Sequence, residues 1–227
     1  MSFKQQSEQT IEQAYDLLKN RMKNAHERFE PEAKFPQLVA VSKTLPVEKI
    51  TPLLDLGHRI FGENRVQEAT GKWPELLEKY PGVELHLIGP LQTNKVREAL
   101  KIFDVVQSLD REKLARALSL EVAKTGKQIK CFVQVNLAGE EQKSGIAPGN
   151  LLDFIKTCRK KYTLDIVGLM CIPPQGEAAG PYFAQLKILG KEAGVNNLSM
   201  GMSADYEAAI EMGATHIRVG TALFGKR

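Results

Sequence analysis

Hydrophobic positions show two different patterns of spacing along the chain. In the first 30 residues, Ile11, Ala14, Leu18 and Met22 recur every three or four positions, which predicts an amphipathic helix. From residue 38 onward, short β-rich runs alternate with helical patterns, and the alternation continues to residue 220. We predict eight strands, at 38–43, 58–62, 84–89, 103–108, 129–136, 164–172, 197–200 and 215–220.

A helical pattern follows each of the first seven strands. Regular alternation of strand and helix favours a parallel sheet, and eight such units indicate a closed (β/α)8 barrel. A doubly wound open sheet is the alternative, disfavoured because no GxGxxG motif follows the first strand. We predict an α/β TIM barrel at 38–220 with an extra N-terminal helix within 1–30 packed on it, all in one domain, 1–227. The predicted helices are 46–56, 64–79, 92–101, one opening at Asp110, 149–161, 177–193 and one from Ser203 to Gly213.

The charge, the cysteines and the lengths of the apolar runs argue against several classes of protein. The net charge of +4 is small and mixed along the chain, which argues against nucleic-acid binding. Cys131, Cys158 and Cys171 lie far apart in apolar stretches and are typical of small core residues, not of a disulfide frame or metal site. No apolar run approaches the ~18 residues of a membrane span, and the N-terminus lacks a secretory apolar region. We therefore expect a cytoplasmic protein without metal, membrane or nucleic-acid partners.

Lys43 stands directly after the first predicted strand, in the stretch VAVSKTLP. The active face of a (β/α)8 barrel lies at the carboxyl ends of its strands. Desolvation there lowers the pKa of an amine, and a neutral amine can attack an aldehyde to form a Schiff base. The alternative is an ordinary solvated lysine.

Two further stretches supply candidate ligand contacts at the last two strands. Ser203 and the pair Gly220-Thr221 follow strands seven and eight, where this barrel commonly binds phosphate. Each could instead be an ordinary helix cap or turn. Arg218 lies within strand eight and either extends outward between helices or donates to a ring nitrogen inside the barrel. An amine, a phosphate site and a ring-nitrogen donor together are typical of pyridoxal 5′-phosphate (PLP) binding.

The chain resembles the pyridoxal phosphate homeostasis protein family and, through it, the N-terminal barrel domain of alanine racemase. The stretches that carry the resemblance are VAVSKTLP, FGENRVQEA, HLIGPLQTNK, GLMCIPP and SMGMSADYEAAIEMGATHIRVGTALFG, within residues 35–225. The resemblance implies a PLP aldimine on Lys43 and a ring-nitrogen contact from Arg218. It also implies phosphate contacts from Ser203, Gly220 and Thr221. The predicted cofactor site further includes Asn64, His86 and Met202.

Two functional classes fit a PLP barrel: a carrier or regulator of PLP, and an amino-acid racemase. Racemisation needs a second base, which alanine racemases take from a tyrosine on a separate domain. None of the five tyrosines here stands at a strand carboxyl end, and the sequence reaches Arg227 directly after the barrel. We therefore expect a monomer that holds PLP without substantial turnover and passes it to PLP-dependent apoenzymes. A Schiff-base aldolase on Lys43, and Lys143 as a second PLP-accepting amine, are less favoured readings.

Overall fold

The eight predicted strands form one closed parallel barrel. The computed structural model describes residues 10–29, 32–140 and 142–225. Each strand pairs with its neighbours in chain order, and β8 pairs with β1, so the prediction of an α/β TIM barrel is confirmed. The strands are β1 (Gln37–Val41), β2 (Ile60–Glu63), β3 (Glu84–Leu87), β4 (Val105–Leu109), β5 (Lys130–Gln134), β6 (Asp165–Met170), β7 (Asn197–Ser199) and β8 (His216–Val219).

Helices surround the barrel, and several are shorter than the sequence predicts. The segment predicted as a helix at 92–101 begins with a 3-10 turn at Thr93–Lys95, and a short helix after β8 was not predicted. The helices are α1 (Ile11–Phe29), α2 (Val47–Asp55), α3 (Val66–Lys79), α4 (Val96–Ile102), α5 (Glu112–Thr125), α6 (Leu151–Lys160), α7 (Gly180–Glu192), α8 (Tyr206–Glu211) and α9 (Thr221–Phe224).

The hydrophobic core has two parts because strand side chains alternate between the two faces of the sheet. The larger part lies between the strands and the surrounding helices, with Phe61, Trp73 and Phe183 fully buried. The smaller part, which includes Val105, Phe132 and Met170, is a separate apolar cluster contributed by β4, β5 and β6. Burying one such side chain contributes about 1.5–3 kcal/mol.

Helix α1 packs on the outside of the barrel against α2, α8 and α9. Its buried face contains Ala14, Leu18 and Met22, as the spacing predicts, and also Ala25. Residues 1–9 and 30 of the predicted helix lie outside the described residues. No helix in the described ranges is both long and apolar enough to cross a membrane.

The three cysteines are free and buried, as predicted. Burial raises the pKa of all three thiols, and that of Cys158 and of Cys171 to about 12. A thiol that stays protonated is a poor nucleophile and a poor metal ligand. These side chains therefore act as small core residues.

Candidate functional site

Most predicted site residues lie at the carboxyl ends of the strands. Lys43 is the second residue after β1, and Asn64 directly follows β2. Met202 and Ser203 follow β7, whereas Gly220 and Thr221 follow β8. Because all eight strands are parallel, these positions share one end of the barrel.

The loops after β7 and β8 meet at the hydroxyl of Ser203. Its Oγ accepts hydrogen bonds from the backbone N–H groups of Gly220 and Ala222, both at 3.3 Å. The prediction that Ser203 opens a helix is wrong, since α8 begins at Tyr206. Ser203 lies instead in a turn that Asp205 closes by accepting from the Met202 N–H at 2.6 Å. The turn directs the Ser203 hydroxyl toward the β8 loop, where it and two backbone amides come together.

The backbone of this turn requires glycine at position 201. Gly201 has a φ of +89°, in the left-handed region that side chains disfavour. A Cβ at this position would lie 2.5 Å from the Cβ of Ala209 on α8. The backbone conformation of the stretch SMGMS therefore depends on Gly201.

Arg218 points into the barrel. Its side chain is buried, with 4% of the residue exposed. The guanidinium donates to Ser199 Oγ at 2.7 Å and to the Cys171 carbonyl at 2.9 Å, on β7 and just after β6. Among the described residues no carboxylate pairs with it, and burial lowers its pKa. A guanidinium has five N–H donors, so this buried cation has donors left for a ligand.

The turn that carries Lys43 is held from outside the barrel by a buried charge cluster. Lys72 Nζ donates to the carbonyls of Ser42 at 2.9 Å and Leu45 at 3.2 Å, on either side of Lys43. The same ammonium pairs with Glu63 at 2.7 Å and with Glu68 at 3.0 Å. Lys43 itself is partly buried.

Two more contacts define the conformation of this turn. Thr44 has a φ of +62°, unusual for a β-branched residue, and its N–H donates to the Glu68 carboxylate. Glu63 is fully buried and accepts from Ser42 Oγ at 2.7 Å and from Trp73 Nε1 at 2.9 Å. Lys72 is not among the residues predicted from the sequence, although its i,i+4 spacing from Glu68 is a usable signal.

Asn64 borders a cavity of about 620 Å³ between the loops after β2, β3 and β4. Its lining includes Arg65, Pro90 and Arg111. The Asn64 Oδ1 atom is buried and has no hydrogen-bond partner within the described ranges. The carbonyl oxygen of Asn64 lies so near Gly89 that a Cβ there would approach it to 2.3 Å. An unsatisfied buried oxygen beside a cavity is suited to a ligand with a donor group.

His86 does not lie with the residues of the barrel mouth. Its fully buried ring contacts Gln107 at 2.7 Å and Glu84, at the start of β3, at 2.8 Å. Gln107 in turn accepts from the hydroxyl of Ser199, at 2.6 Å. Gln107 and Ser199 are not among the residues predicted from the sequence, where the only signal is a polar residue inside an apolar strand run.

Comparisons with known proteins place this barrel in a family. The model of the alanine racemase N-terminal domain matches residues 14–227. A pyridoxal phosphate homeostasis protein of Vibrio cholerae is 39% identical, with 96% of this chain and 97% of that protein covered. The solved structure of PipY from Synechococcus elongatus with PLP bound has a TM-score of 0.83 at 36% identity and covers 95% of this chain and all of that one.

A more distant likeness concerns the fold alone. Alanine racemase from Clostridium difficile has a TM-score of 0.69 at 17% identity and covers 93% of this chain but 57% of that one. The shared part is the barrel, in agreement with the matched domain family. The chain belongs to the alanine racemase N-terminal domain family and, within it, to the pyridoxal phosphate homeostasis proteins.

Proposed function

We propose that this protein binds PLP at the carboxyl ends of its strands and takes part in PLP homeostasis as a carrier without substantial turnover. Lys43 holds the aldehyde carbon, and Arg218 donates to the ring nitrogen. Ser203, Gly220 and Thr221 bind the phosphate, and Asn64 and Met202 border the ring. The relatives named above, and the PLP-bound structure of PipY, support the binding of PLP and the role in PLP homeostasis.

The single observation that carries the proposal is the buried Arg218. A buried cation without a counter-charge is costly unless a ligand accepts its hydrogen bonds. The free donors of Arg218 suit an unprotonated pyridine nitrogen, which is an acceptor. Ser203 Oγ accepts from the amides of Gly220 and Ala222, which leaves its own O–H to donate to a phosphate oxygen.

The same arginine disfavours racemisation. PLP enzymes stabilise a carbanion through the electron-withdrawing ring, and a ring nitrogen that only accepts a hydrogen bond withdraws less strongly. A guanidinium keeps its protons, so it donates a hydrogen bond to the ring nitrogen without protonating it. Arg218 therefore supports binding of the cofactor more than turnover on it.

No tyrosine of this chain supports a second base. Four of the five hydroxyls are already hydrogen-bonded to other side chains: those of Tyr15, Tyr80, Tyr162 and Tyr182 contact His58, Asp55, Glu112 and Glu177. Tyr206 is buried at the start of α8, and burial raises its pKa to about 12. A missing general base removes about 10²–10⁴ of rate.

Borohydride reduction tests the role of Lys43. The protein is loaded with PLP, reduced and digested, and the modified peptide is mapped. We expect the label on Lys43, and we expect Lys43→Ala to lose the visible absorption of bound PLP. Lys143→Ala is the control, because Lys143 pairs with Glu140 at 2.5 Å in the loop after β5. A label that stays in Lys43→Ala contradicts the assignment.

Two assays separate a carrier from an enzyme. Deuterium exchange at the α-carbon of L- and D-amino acids should stay far below the ~1–10³ s⁻¹ typical of enzymes. Loaded protein should restore activity to a PLP-dependent apoenzyme, and a dialysis membrane between the two distinguishes transfer by contact from release into solution. Exchange at enzymatic rates would instead support a racemase.

A further inference from the structure

A continuous line of hydrogen bonds crosses the barrel interior from Arg218 to the opposite end. Arg218 donates to Ser199 Oγ at 2.7 Å, and the Ser199 hydroxyl contacts Gln107 Oε1 at 2.6 Å. Gln107 Nε2 contacts His86 Nδ1 at 2.7 Å, and His86 Nε2 contacts Glu84 Oε1 at 2.8 Å. We call Ser199, Gln107, His86 and Glu84 the interior chain.

The two ends of the interior chain fix its direction. Arginine can only donate, so Ser199 must accept from Arg218 and its own O–H is free to donate onward to Gln107 Oε1. The Gln107 amide then presents its NH₂ group to His86. At the far end, Glu84 also accepts from Lys130 Nζ at 2.8 Å, so its carboxylate accepts from His86 Nε2 as well. Nδ1 of His86 therefore accepts from Gln107, and the ring proton lies on Nε2.

Every side-chain nitrogen and oxygen atom of the three buried members has at least one hydrogen-bond partner. Ser199, Gln107 and His86 are almost fully buried, and apolar Val105 and Phe132 also lie within the barrel. Removing one member would leave buried donors or acceptors of its neighbours unpaired, at a cost of about 1–3 kcal/mol each. Each member thus fixes the orientation of its neighbour, and Ser199 fixes the orientation of the Arg218 guanidinium.

We propose that Ser199, Gln107 and His86 are positioning residues that orient Arg218 toward the ring nitrogen of PLP. The inference rests on the proposed function, and it gives His86 a role through Arg218 in place of direct cofactor contact. Lys130, which pairs with Glu84 at 2.8 Å, extends the line to the amino-terminal end of the barrel. The interior chain holds the guanidinium in its binding orientation before PLP arrives. Less conformational entropy is therefore lost on binding.

The test measures both affinity and the state of the ring nitrogen. Gln107→Leu and Ser199→Ala are loaded with PLP labelled with ¹⁵N at the ring nitrogen. We expect about tenfold weaker PLP binding, equivalent to one hydrogen bond to a charged group. We also expect the ¹⁵N resonance to move toward that of a ring without a hydrogen-bond donor. Ser199→Thr, which keeps the hydroxyl, should retain both properties.

His58→Gln is the matched control, because His58 is also buried and bonded, to Tyr15 and to the Ile60 carbonyl, but lies outside the interior chain. It should leave the ring resonance and the affinity unchanged. The proposal is overturned if Gln107→Leu and Ser199→Ala bind PLP with wild-type affinity and an unshifted resonance. A wild-type protein that fails to bind PLP overturns the proposed function instead.

NMR of the cofactor-free wild-type protein gives a readout that needs no variant and no PLP. Two-bond ¹H–¹⁵N spectra should show His86 as the neutral Nε2–H tautomer. An imidazolium or an Nδ1–H tautomer would reverse the deduced direction of the interior chain and overturn the inference. This outcome is independent of whether the PLP site is assigned correctly.

Discussion

The charge cluster behind the Lys43 turn makes Lys72→Met the most informative stability variant. Methionine keeps the length of the lysine stem but removes the ammonium. The variant loses the ion pairs with Glu63 and Glu68 and the hydrogen bonds to the carbonyls of Ser42 and Leu45. Glu63 then keeps only neutral donors in a fully buried position.

Burial sets the magnitude of the effect. The side chain of Lys72 is 8% exposed and that of Glu63 is 0% exposed. Removing one partner of a buried ion pair costs about 3–5 kcal/mol, because the other charge is left uncompensated. For a chain of this size, 1 kcal/mol corresponds to about 2–4 °C, so we expect the melting temperature to fall by about 6–20 °C.

Urea and thermal unfolding check this value, with two comparison variants. Lys23→Met removes the exposed partner of Glu27 at 3.6 Å and should cost less than about 0.5 kcal/mol. Glu63→Gln combined with Lys72→Met removes both charges and should recover most of the lost stability. A loss below about 1 kcal/mol in Lys72→Met would show that the buried pair does not stabilise the folded protein.

Two further predictions concern pH and backbone strain. Burial lowers the pKa of His58 to about 4, below the ~6.5 of an unfolded chain, so unfolding takes up one proton between these values and stability falls as the pH falls. His58→Gln should reduce that slope by about 1.4 kcal/mol per pH unit, measured as urea midpoints from pH 6.5 to 4.5; an unchanged slope would contradict the shift. Gly201→Ala should cost more stability than Gly126→Ala, since both glycines have positive φ but only Gly201 also faces a close Cβ, that of Ala209. Equal melting temperatures for the two alanine variants would refute the argument from crowding.

Local patterns predicted the strands and the barrel because each signal lies within a few residues. The β-rich runs and the helical spacing of Ala14, Leu18 and Met22 depend on side-chain periodicity alone. Lys43, Asn64 and Gly220 lie just after strands, as predicted, because the end of a strand can be read from its sequence. The predicted start of α8 was wrong, because Ser203 and Asp205 are equally good capping residues. Which of them precedes the helix depends on contacts with the β8 loop.

The interior chain could not be predicted, because its contacts join residues far apart in the sequence. Ser199 meets Gln107 only when β4 and β7 lie across the same closed barrel. Strand register and barrel closure decide which polar side chains face one another, and the sequence pattern specifies neither. The contacts of Lys72 with Ser42 and Leu45 join different units in the same way, and only its i,i+4 pairing with Glu68 is local in the sequence.

The pairing of β1 with β8 has a consequence for how the protein acquires its cofactor. Gln37–Ala40 align with His216–Val219, so the first and last strands are hydrogen-bonded neighbours. Lys43 comes from the first unit, whereas Ser203 and Arg218 come from the last two, and no partial barrel brings them together. Contacts between such distant segments form slowly. During synthesis they cannot form until the eighth strand has left the ribosome. If the proposed site is correct, a growing chain contains Lys43 for most of its synthesis without Ser203 and Arg218, and it binds PLP stably only once the barrel is complete.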